Sequence, residues 1–128
     1  MDLRAVIDNI LKKWGHNILL QRRVSPWDSE DVVYLNQMER HTVRRMHPSS
    51  TYLASLNEES KTGLVADAEF VYWFRWNANP GKGDRIYQFD STLPNSQEIF
   101  QIDKPVAVRG RNGRIEYWVC GATQEEPN

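Results

Sequence analysis

Short β-type runs separated by turn residues fill most of this sequence, and they follow a single helical stretch. The strongest run spans 68–76 and is almost wholly aromatic or β-branched, containing Phe70, Val71, Tyr72, Trp73, Phe74 and Trp76. It predicts a strand that is buried on both faces. Turn signals recur about every 8 to 15 residues, a spacing typical of a small antiparallel β-barrel or sandwich.

The helical stretch covers residues 3–14. Its apolar side chains recur at three- and four-residue steps, at Leu3, Val6, Ile7, Ile10, Leu11 and Trp14. Asp2 is placed to cap its start, and Gly15 follows its end. A helix of about three turns is marginal alone in water, so its apolar stripe must be buried against its own domain or a neighbouring subunit. We favour its own domain.

The remaining strands are expected at 17–24, 39–46, 85–89, 98–102, 105–109 and 114–120. Arg111, Asn112 and Gly113 predict a hairpin turn between the last two. Residues 48–67 and 91–96 predict loops, of which 48–67 is the long central one. We expect one mainly β domain over 1–128, with the helix at 3–14, a small antiparallel β-barrel or sandwich at about 16–121 and a disordered tail at 122–128.

Charge and hydropathy exclude several classes of protein. Sixteen Lys and Arg residues against seventeen Asp and Glu residues give a net charge of -1, so no global basic field attracts nucleic acid. The longest apolar run, Ile18–Leu20, is far below the roughly 18 to 20 residues that cross a bilayer. Asp2, Arg4 and Asp8 lie where a signal peptide needs an apolar core. We expect a protein made in the cytoplasm with no membrane partner, and the sole cysteine, Cys120, excludes an intrachain disulfide.

Three candidate chemistries fit the sequence poorly. Residues 79–84 place glycines beside a lysine, but the spacing is not that of a phosphate loop and the segment leads into a strand. His16, His41 and His47, with Cys120, lack the spacing of a metal site. Cys120 ends an apolar strand, where a lone cysteine is most often buried filler rather than a nucleophile. We therefore expect no enzyme, no cofactor and no metal, and a simple turn at 79–84.

Arginines form two groups: Arg22, Arg23, Arg40, Arg44 and Arg45 in the first half, and Arg109, Arg111 and Arg114 near the last hairpin. One interpretation is a solvated sheet face balanced by acidic neighbours. The other is a surface that touches phosphate or an acidic partner, where Trp27 or Trp118 would stack on unpaired bases. In a symmetric ring the same few arginines would be repeated around the axis.

Three segments carry a likeness to a known family. They are WGHNILLQR at 14–22, NPGKGDRIY at 79–87 and RGRNGRIEYW at 109–118. Together they resemble neck proteins of tailed bacteriophages, in particular the head-closure or head-to-tail joining family, also called stopper proteins. In that family a Gly-Asp-Arg-Ile-like turn enters a strand, and a late strand returns the chain to a small barrel. The likeness covers most of 14–120, and the helix at 3–14 is an addition to the minimal barrel.

The resemblance implies a structural virion protein that is made in the host cytoplasm and assembles as a homo-oligomeric ring, a hexamer or a dodecamer. Such a ring lies between the portal or adaptor protein and the tail or tail-terminator protein. It closes the head, retains the packaged double-stranded DNA and provides the tail attachment platform. The residues expected to face the DNA channel or a partner are Arg22, Arg23, Arg40, Arg44, Arg45, Arg109 and Arg111.

Alternatives to this function stay open. One is a tail-terminator or adaptor protein of the same neck. Another is a small β-barrel that binds single-stranded nucleic acid, which predicts salt-sensitive binding by an isolated monomer. The third is a small enzyme of unknown reaction, which predicts a concave pocket with perturbed titratable groups.

Overall fold

The computed structural model describes residues 2–26, 28–47, 69–89 and 97–125. They form one helix, α1 (Leu3–Trp14), and six strands: β1 (His16–Arg23), β2 (Tyr34–Met46), β3 (Phe70–Arg75), β4 (Arg85–Phe89), β5 (Gln97–Arg109) and β6 (Ile115–Gln124). The strands pair antiparallel and close into a barrel in the order β1-β2-β3-β6-β5-β4. The predicted mainly β fold with one amino-terminal helix is confirmed, and of the two expected architectures it is the barrel.

Local hydrogen bonds fix both ends of α1. The Asp2 carboxylate accepts a hydrogen bond from the Arg4 backbone N–H at 3.1 Å, and the Gly15 N–H donates to the Leu11 carbonyl at 2.9 Å. A side chain at Gly15 would lie 2.7 Å from the Val43 carbonyl oxygen, so only glycine allows this close approach of the two backbones. The chain therefore passes from α1 into β1 without a connecting loop.

One face of α1 packs on the outside of the barrel. Ile7 and Leu11 are buried there in a cluster that also contains Met46, Val71, Trp73, Tyr117 and Val119. The apolar stripe is thus buried in its own domain, as expected, although Trp14 at the end of the helix remains 63% exposed. Burial of each large apolar side chain contributes about 1.5 to 3 kcal/mol, which offsets the marginal stability of so short a helix.

The barrel interior is a second apolar cluster. Its members are Ile18, Leu20, Val43, Tyr72, Phe74, Ala78, Ile86, Phe100, Ile102, Cys120 and Ala122. β3 belongs to both clusters, because Val71 and Trp73 face α1 while Tyr72 and Phe74 face the interior. The prediction that this strand is buried on both faces is confirmed.

β5 is one strand of 13 residues, where two short strands at 98–102 and 105–109 are expected. Its pairing with β6 shifts register between Ile102 and Lys104, and the strand continues through Pro105. β4 pairs with β5 only as far as Gln101, so around Pro105 the other edge of β5 has no strand partner among the described residues. A proline, which cannot donate a backbone hydrogen bond, is tolerated at such an open edge.

Two other strands also extend beyond their expected bounds. β2 begins at Tyr34 rather than 39, because residues 35–38 are all exposed and so lack the alternation of apolar and polar residues that would have indicated its start. β6 runs to Gln124, so the expected disordered tail from 122 is wrong for Ala122 to Gln124, which pair with β5. The expected loops at 48–67 and 91–96, and the tail residues 126–128, lie outside the described residues.

The predicted hairpin between β5 and β6 is confirmed. The Gly110 N–H donates to the Arg114 carbonyl at 2.9 Å, and the Gly113 N–H donates to the Gly110 carbonyl at 3.0 Å. Gly113 has a positive φ of 80°, a conformation that glycine adopts without strain.

Candidate functional site

Two arginines enter the barrel interior from opposite mouths. Arg22 follows the interior residue Leu20 on the same side of β1, and Arg45 follows Val43 on the same side of β2. Because β1 and β2 run antiparallel, with His16 opposite Val43, Arg22 and Arg45 lie at opposite ends of the barrel. Each mouth is therefore a candidate polar site.

The first mouth holds the Arg22 cluster, which consists of Arg22, Glu39 and Asp84. Arg22 donates from Nε to Glu39 Oε2 at 2.8 Å and from Nη2 to Glu39 Oε1 at 3.0 Å. Its Nη1 donates to Asp84 Oδ2 at 3.3 Å, and the carbonyls of Ala78 and Asn79 accept further hydrogen bonds from the same guanidinium. The Arg22 guanidinium therefore makes these hydrogen bonds to groups of its own chain.

Electrostatics reinforce this cluster. The hydrogen bonds from Arg22 lower the pKa of Glu39 from 4.5 to about 2, with a smaller contribution from His41 Nε2 at 3.0 Å. The same contact with Glu39 raises the pKa of Arg22. Both groups are charged at neutral pH, so the site is an internal ion pair rather than an acid–base pair poised for proton transfer.

Asp84 organises the backbone around the first mouth. Its side chain accepts hydrogen bonds from the backbone N–H of Arg23 at 2.9 Å and of Gly81 at 2.8 Å, and the residue is only 3% exposed. The segment 79–84 is thus closed by its own aspartate, which is the strand-joining turn expected from the sequence. The carboxylate occupies the space where a phosphate loop would leave backbone N–H groups open to an anion.

The second mouth holds the Arg45 cluster, which consists of Arg45, Phe70 and Glu98. The Arg45 guanidinium lies 4.3 Å from the Phe70 ring centroid, and its Nη1 is 3.9 Å from Glu98 Oε2. Among the described residues, Nη1 is buried without a hydrogen-bond partner. The Phe70 ring and the Tyr72 hydroxyl, more than ion pairing, therefore hold Arg45 in place.

A short chain of polar side chains lies inside the second mouth. Gln88 Oε1 is 2.8 Å from His16 Nε2 and accepts a hydrogen bond from the Tyr72 hydroxyl at 3.3 Å. Burial raises the pKa of Tyr72 to about 12, so its phenol stays protonated and donates at neutral pH. These three side chains therefore hydrogen-bond to one another inside the barrel.

The other arginines predicted as site residues are scattered over the surface. Arg23 donates to the carbonyls of Ser25 and Pro26, and Arg109 donates to the Gly113 carbonyl within its own hairpin. Arg44 is half-buried on the outer side of β2, whereas Arg40 and Arg111 are exposed. The side chains of Arg40 and Arg111 form no hydrogen bond or ion pair with any other residue that the structure describes.

A groove lies between α1 and β2. β3 pairs with β2 only at Arg44, Arg45 and Met46, so the edge of β2 towards its start has no strand partner among the described segments. The resulting groove has a volume of about 540 Å³ and is lined by Asp8, Leu11, Lys12, Arg40, His41, Thr42, Arg75 and Asn77. Arg75 pairs with Asp8 at 3.0 Å. Lys12 and Arg40 are therefore the charged groups of the groove that have no ion-pair partner among the described residues.

Neither a reactive thiol nor a metal-binding group is found among the described residues. Cys120 is fully buried in the interior, and burial raises the pKa of its thiol, which suppresses the reactive thiolate. Within the described ranges, no three His, Cys, Asp or Glu side chains come close enough to hold a metal ion. Glu39 and Asp84 were not predicted as partners of Arg22. Glu39 lies opposite Leu20, two residues before Arg22, so no charged pair in the β1–β2 register signals this contact.

Exposed apolar side chains concentrate at the first mouth, on the β1–β2 connection (residues 24–26 and 28–33) and the start of β2. They are Val24, Val32, Val33, Leu35 and Met38, each between 36% and 53% exposed. Tyr34 anchors this segment, because its hydroxyl donates to the Gly83 carbonyl at 3.0 Å and the Arg85 guanidinium lies 4.1 Å from its ring. Tyr34 therefore fixes the connection to the barrel while its apolar side chains face solvent.

Comparison with known proteins found no relative of this chain. No protein-family profile, curated protein or solved structure matches the chain. In the part of the chain described, α1 is too short and too polar to span a bilayer, and it is the sole helix there.

Proposed function

We propose that this chain is a structural protein of a tailed-phage neck, which forms a homo-oligomeric ring between the portal or adaptor and the tail. The ring closes the head, retains the packaged DNA and gives the tail its attachment platform. The proposal starts from the likeness of segments 14–22, 79–87 and 109–118 to stopper proteins. It takes its structural support from the distribution of exposed apolar groups.

The observation that carries the proposal is the apolar β1–β2 connection. Scattered single apolar residues are normal on a protein surface, whereas a contiguous group marks an interaction site. Here Val24, Val32 and Val33 are each about half exposed on one connection, beside Leu35 at 45%. A closed barrel with apolar groups gathered at one mouth is suited to assembly through that mouth.

The charges of the barrel support a structural role over direct capture of nucleic acid. Arg22 is held by two carboxylates and Arg45 by an aromatic ring, so neither guanidinium is available to phosphate without losing internal contacts. The exposed Arg109 and Arg111 remain as candidates for the DNA channel. A few such charges per subunit become a ring of positive charge when the subunit is repeated.

Particle assembly without this protein tests the proposal. Heads made in its absence should lose their DNA to added nuclease and carry no tails, and supplying the wild-type protein should restore both properties. Arg111→Glu should assemble but retain DNA less well, with Lys104→Glu, another exposed charge, as the matched control. Particles that keep their DNA and tails without this protein would contradict the proposal, as would tight, salt-sensitive binding of single-stranded oligonucleotides by its monomer.

A further inference from the structure

The tip of the β1–β2 connection carries three carboxylates, those of Asp28, Glu30 and Asp31, which we call the acidic tip. All three residues are exposed, and no ion pair or side-chain hydrogen bond occupies their carboxylates within the described residues. No Lys or Arg lies between residues 24 and 33. The acidic tip therefore concentrates three carboxylates near one guanidinium, that of Arg23, which donates to the carbonyls of Ser25 and Pro26.

The groove between α1 and β2 has the opposite charge. Its lining holds three cationic side chains, those of Lys12, Arg40 and Arg75, against one carboxylate, that of Asp8. Asp8 is already engaged by Arg75, with oxygens at 3.0 Å and 3.1 Å from the guanidinium nitrogens. Lys12 and Arg40 are exposed, and in the part of the chain described neither makes an ion pair. An acidic segment would compensate these charges.

The acidic tip does not reach the groove of its own chain. The tip precedes Tyr34, and β2 from Tyr34 to Arg40 spans about 20 Å at roughly 3.3 Å per residue. Tyr34 is tied to Gly83 and Arg85 on the far side of the barrel from α1, which holds the base of the connection away from the groove. A second copy of the chain offers an acidic tip for this groove and a basic groove for this tip.

We propose that the acidic tip of one copy docks in the α1–β2 groove of a second copy. Asp28, Glu30 and Asp31 then meet Lys12 and Arg40, and the exposed Val32 and Val33 are carried into the contact beside them. The contact joins two different surfaces of the same chain, so it is head-to-tail, and repetition of such a contact produces a closed ring or a filament. This inference deepens the proposed function and rests on its ring.

Several features favour this contact over a loose encounter. The tip is shaped before binding by hydrogen bonds of its own: Val24 N–H donates to the Val33 carbonyl at 2.9 Å, and Val33 N–H donates to Ser25 Oγ at 3.0 Å. A pre-shaped segment loses less conformational entropy when it docks. Opposite charges steer two copies into the same register and disfavour tip-to-tip encounters.

Charge reversal in the full-length chain tests the inference by sedimentation at low salt. The groove variant carries Lys12→Glu and Arg40→Glu, and the tip variant carries Glu30→Lys and Asp31→Lys. All four residues are exposed, so the fold should be retained. Each variant should weaken self-association at least about tenfold, because attraction becomes repulsion across the contact. The matched control, Lys104→Glu with Arg111→Glu, has the same change in net charge as the groove variant and should stay within about twofold of wild type.

Mixing separates this contact from a general effect of charge. In an equimolar mixture the acidic groove of one variant faces the basic tip of the other, so both contacts become attractive again. Self-association should return to within about threefold of wild type in the mixture, and also in the chain that carries all four substitutions. Raising the salt from about 0.05 M to 0.5 M should weaken the wild-type contact.

Two results would overturn the inference. One is wild-type self-association that neither variant weakens, and the other is a wild-type chain that stays monomeric at every concentration and in the mixture. Neither result decides the neck function, which is read from DNA retention in particles. Conversely, restored association in the mixture together with normal particles lacking the protein would support the contact and contradict the neck.

Discussion

The two mouths of the barrel use the same residue type in different ways. At the first mouth, Arg22 is bound by two carboxylates and two backbone carbonyls, so its charge is compensated and its donors are satisfied. At the second mouth, Arg45 lies over the Phe70 ring, with its nearest carboxylate oxygen at 3.9 Å. The first arginine is held by specific polar geometry, the second by packing. Removing each should therefore have different consequences.

The largest expected effect is that of Arg22→Met. The substitution leaves Asp84, whose side chain is 5% exposed, without its cation, and it removes the donor to the carbonyls of residues 78 and 79. We expect the free energy of unfolding to fall by about 2 to 3 kcal/mol, measured by urea denaturation. Arg40→Met, at an exposed arginine of the adjacent strand, should change it by less than about 0.5 kcal/mol. Equal losses in the two variants would show that the Arg22 cluster contributes nothing specific.

The next effect is that of Glu39→Gln, and it depends on pH. Because the folded state lowers the pKa of Glu39 from 4.5 to about 2, the carboxylate stabilises the fold above pH 4.5, and this contribution disappears as the pH falls towards 2. Since 42% of the Glu39 side chain is exposed to screening solvent, we expect a loss of only about 1 kcal/mol at neutral pH.

Unfolding measured between pH 2 and pH 7 tests the dependence on Glu39. The difference in stability between wild type and Glu39→Gln should shrink as the pH falls through this range. The matched substitution at the other mouth, Glu98→Gln, removes a carboxylate that lies 3.9 Å from Arg45 and should lower the stability at neutral pH by less than Glu39→Gln does. Equal losses in the two variants at neutral pH would mean that the two mouths do not differ.

A smaller effect is expected for Arg45→Met. The substitution loses the contact between a cation and the Phe70 ring, but it also removes a buried Nη1 that has no hydrogen-bond partner among the described residues. The methionine retains apolar contact with the ring, so the free energy of unfolding should fall by less than about 1 kcal/mol. A loss as large as that of Arg22→Met in the same urea assay would mean that ion pairing also governs the second mouth.

The smallest effect is that of Tyr72→Phe. It removes the 3.3 Å hydrogen bond to Gln88 but keeps the buried ring, and Gln88 retains His16 as its neighbour. We expect a loss of about 0.5 kcal/mol in thermal unfolding. In wild type, the raised pKa of Tyr72, about 12, means that its stabilising protonated form persists below pH 10 and is lost as the pH rises towards 12. Burial also raises the pKa of Tyr117, so absorbance at 295 nm should show two tyrosines, Tyr72 and Tyr117, titrating later than free tyrosines would.

The sequence predicts the two apolar clusters better than the two mouths. The helical period of 3–14 and the aromatic run at 68–76 are local patterns, and local patterns are enough to predict α1 and β3. The start of β2 was missed because residues 35–38 are exposed and pair irregularly with β1. Pro105 suggested a break in β5, whereas an open edge and a register shift let the strand continue.

The polar sites depend on closure of the barrel, which a single sequence does not display. Arg22 and Asp84 are 62 residues apart, and only the pairing of β4 with β1 brings them to the same mouth. Arg45 shares its side of β2 with Val43, so it enters the interior although it was expected to face a channel or partner along with Arg44. Net charge likewise conceals the separation of the acidic tip from the basic groove, because opposite charges cancel in the total.

Imaging of the particle that contains this protein tests the neck proposal most directly. Electron cryomicroscopy of the junction between head and tail should show a ring of density around an axial channel, with each subunit fitting a six-stranded barrel that carries one helix on its outer wall. A junction in which no density fits this barrel, together with recovery of the protein only as a free monomer, would contradict the proposed function.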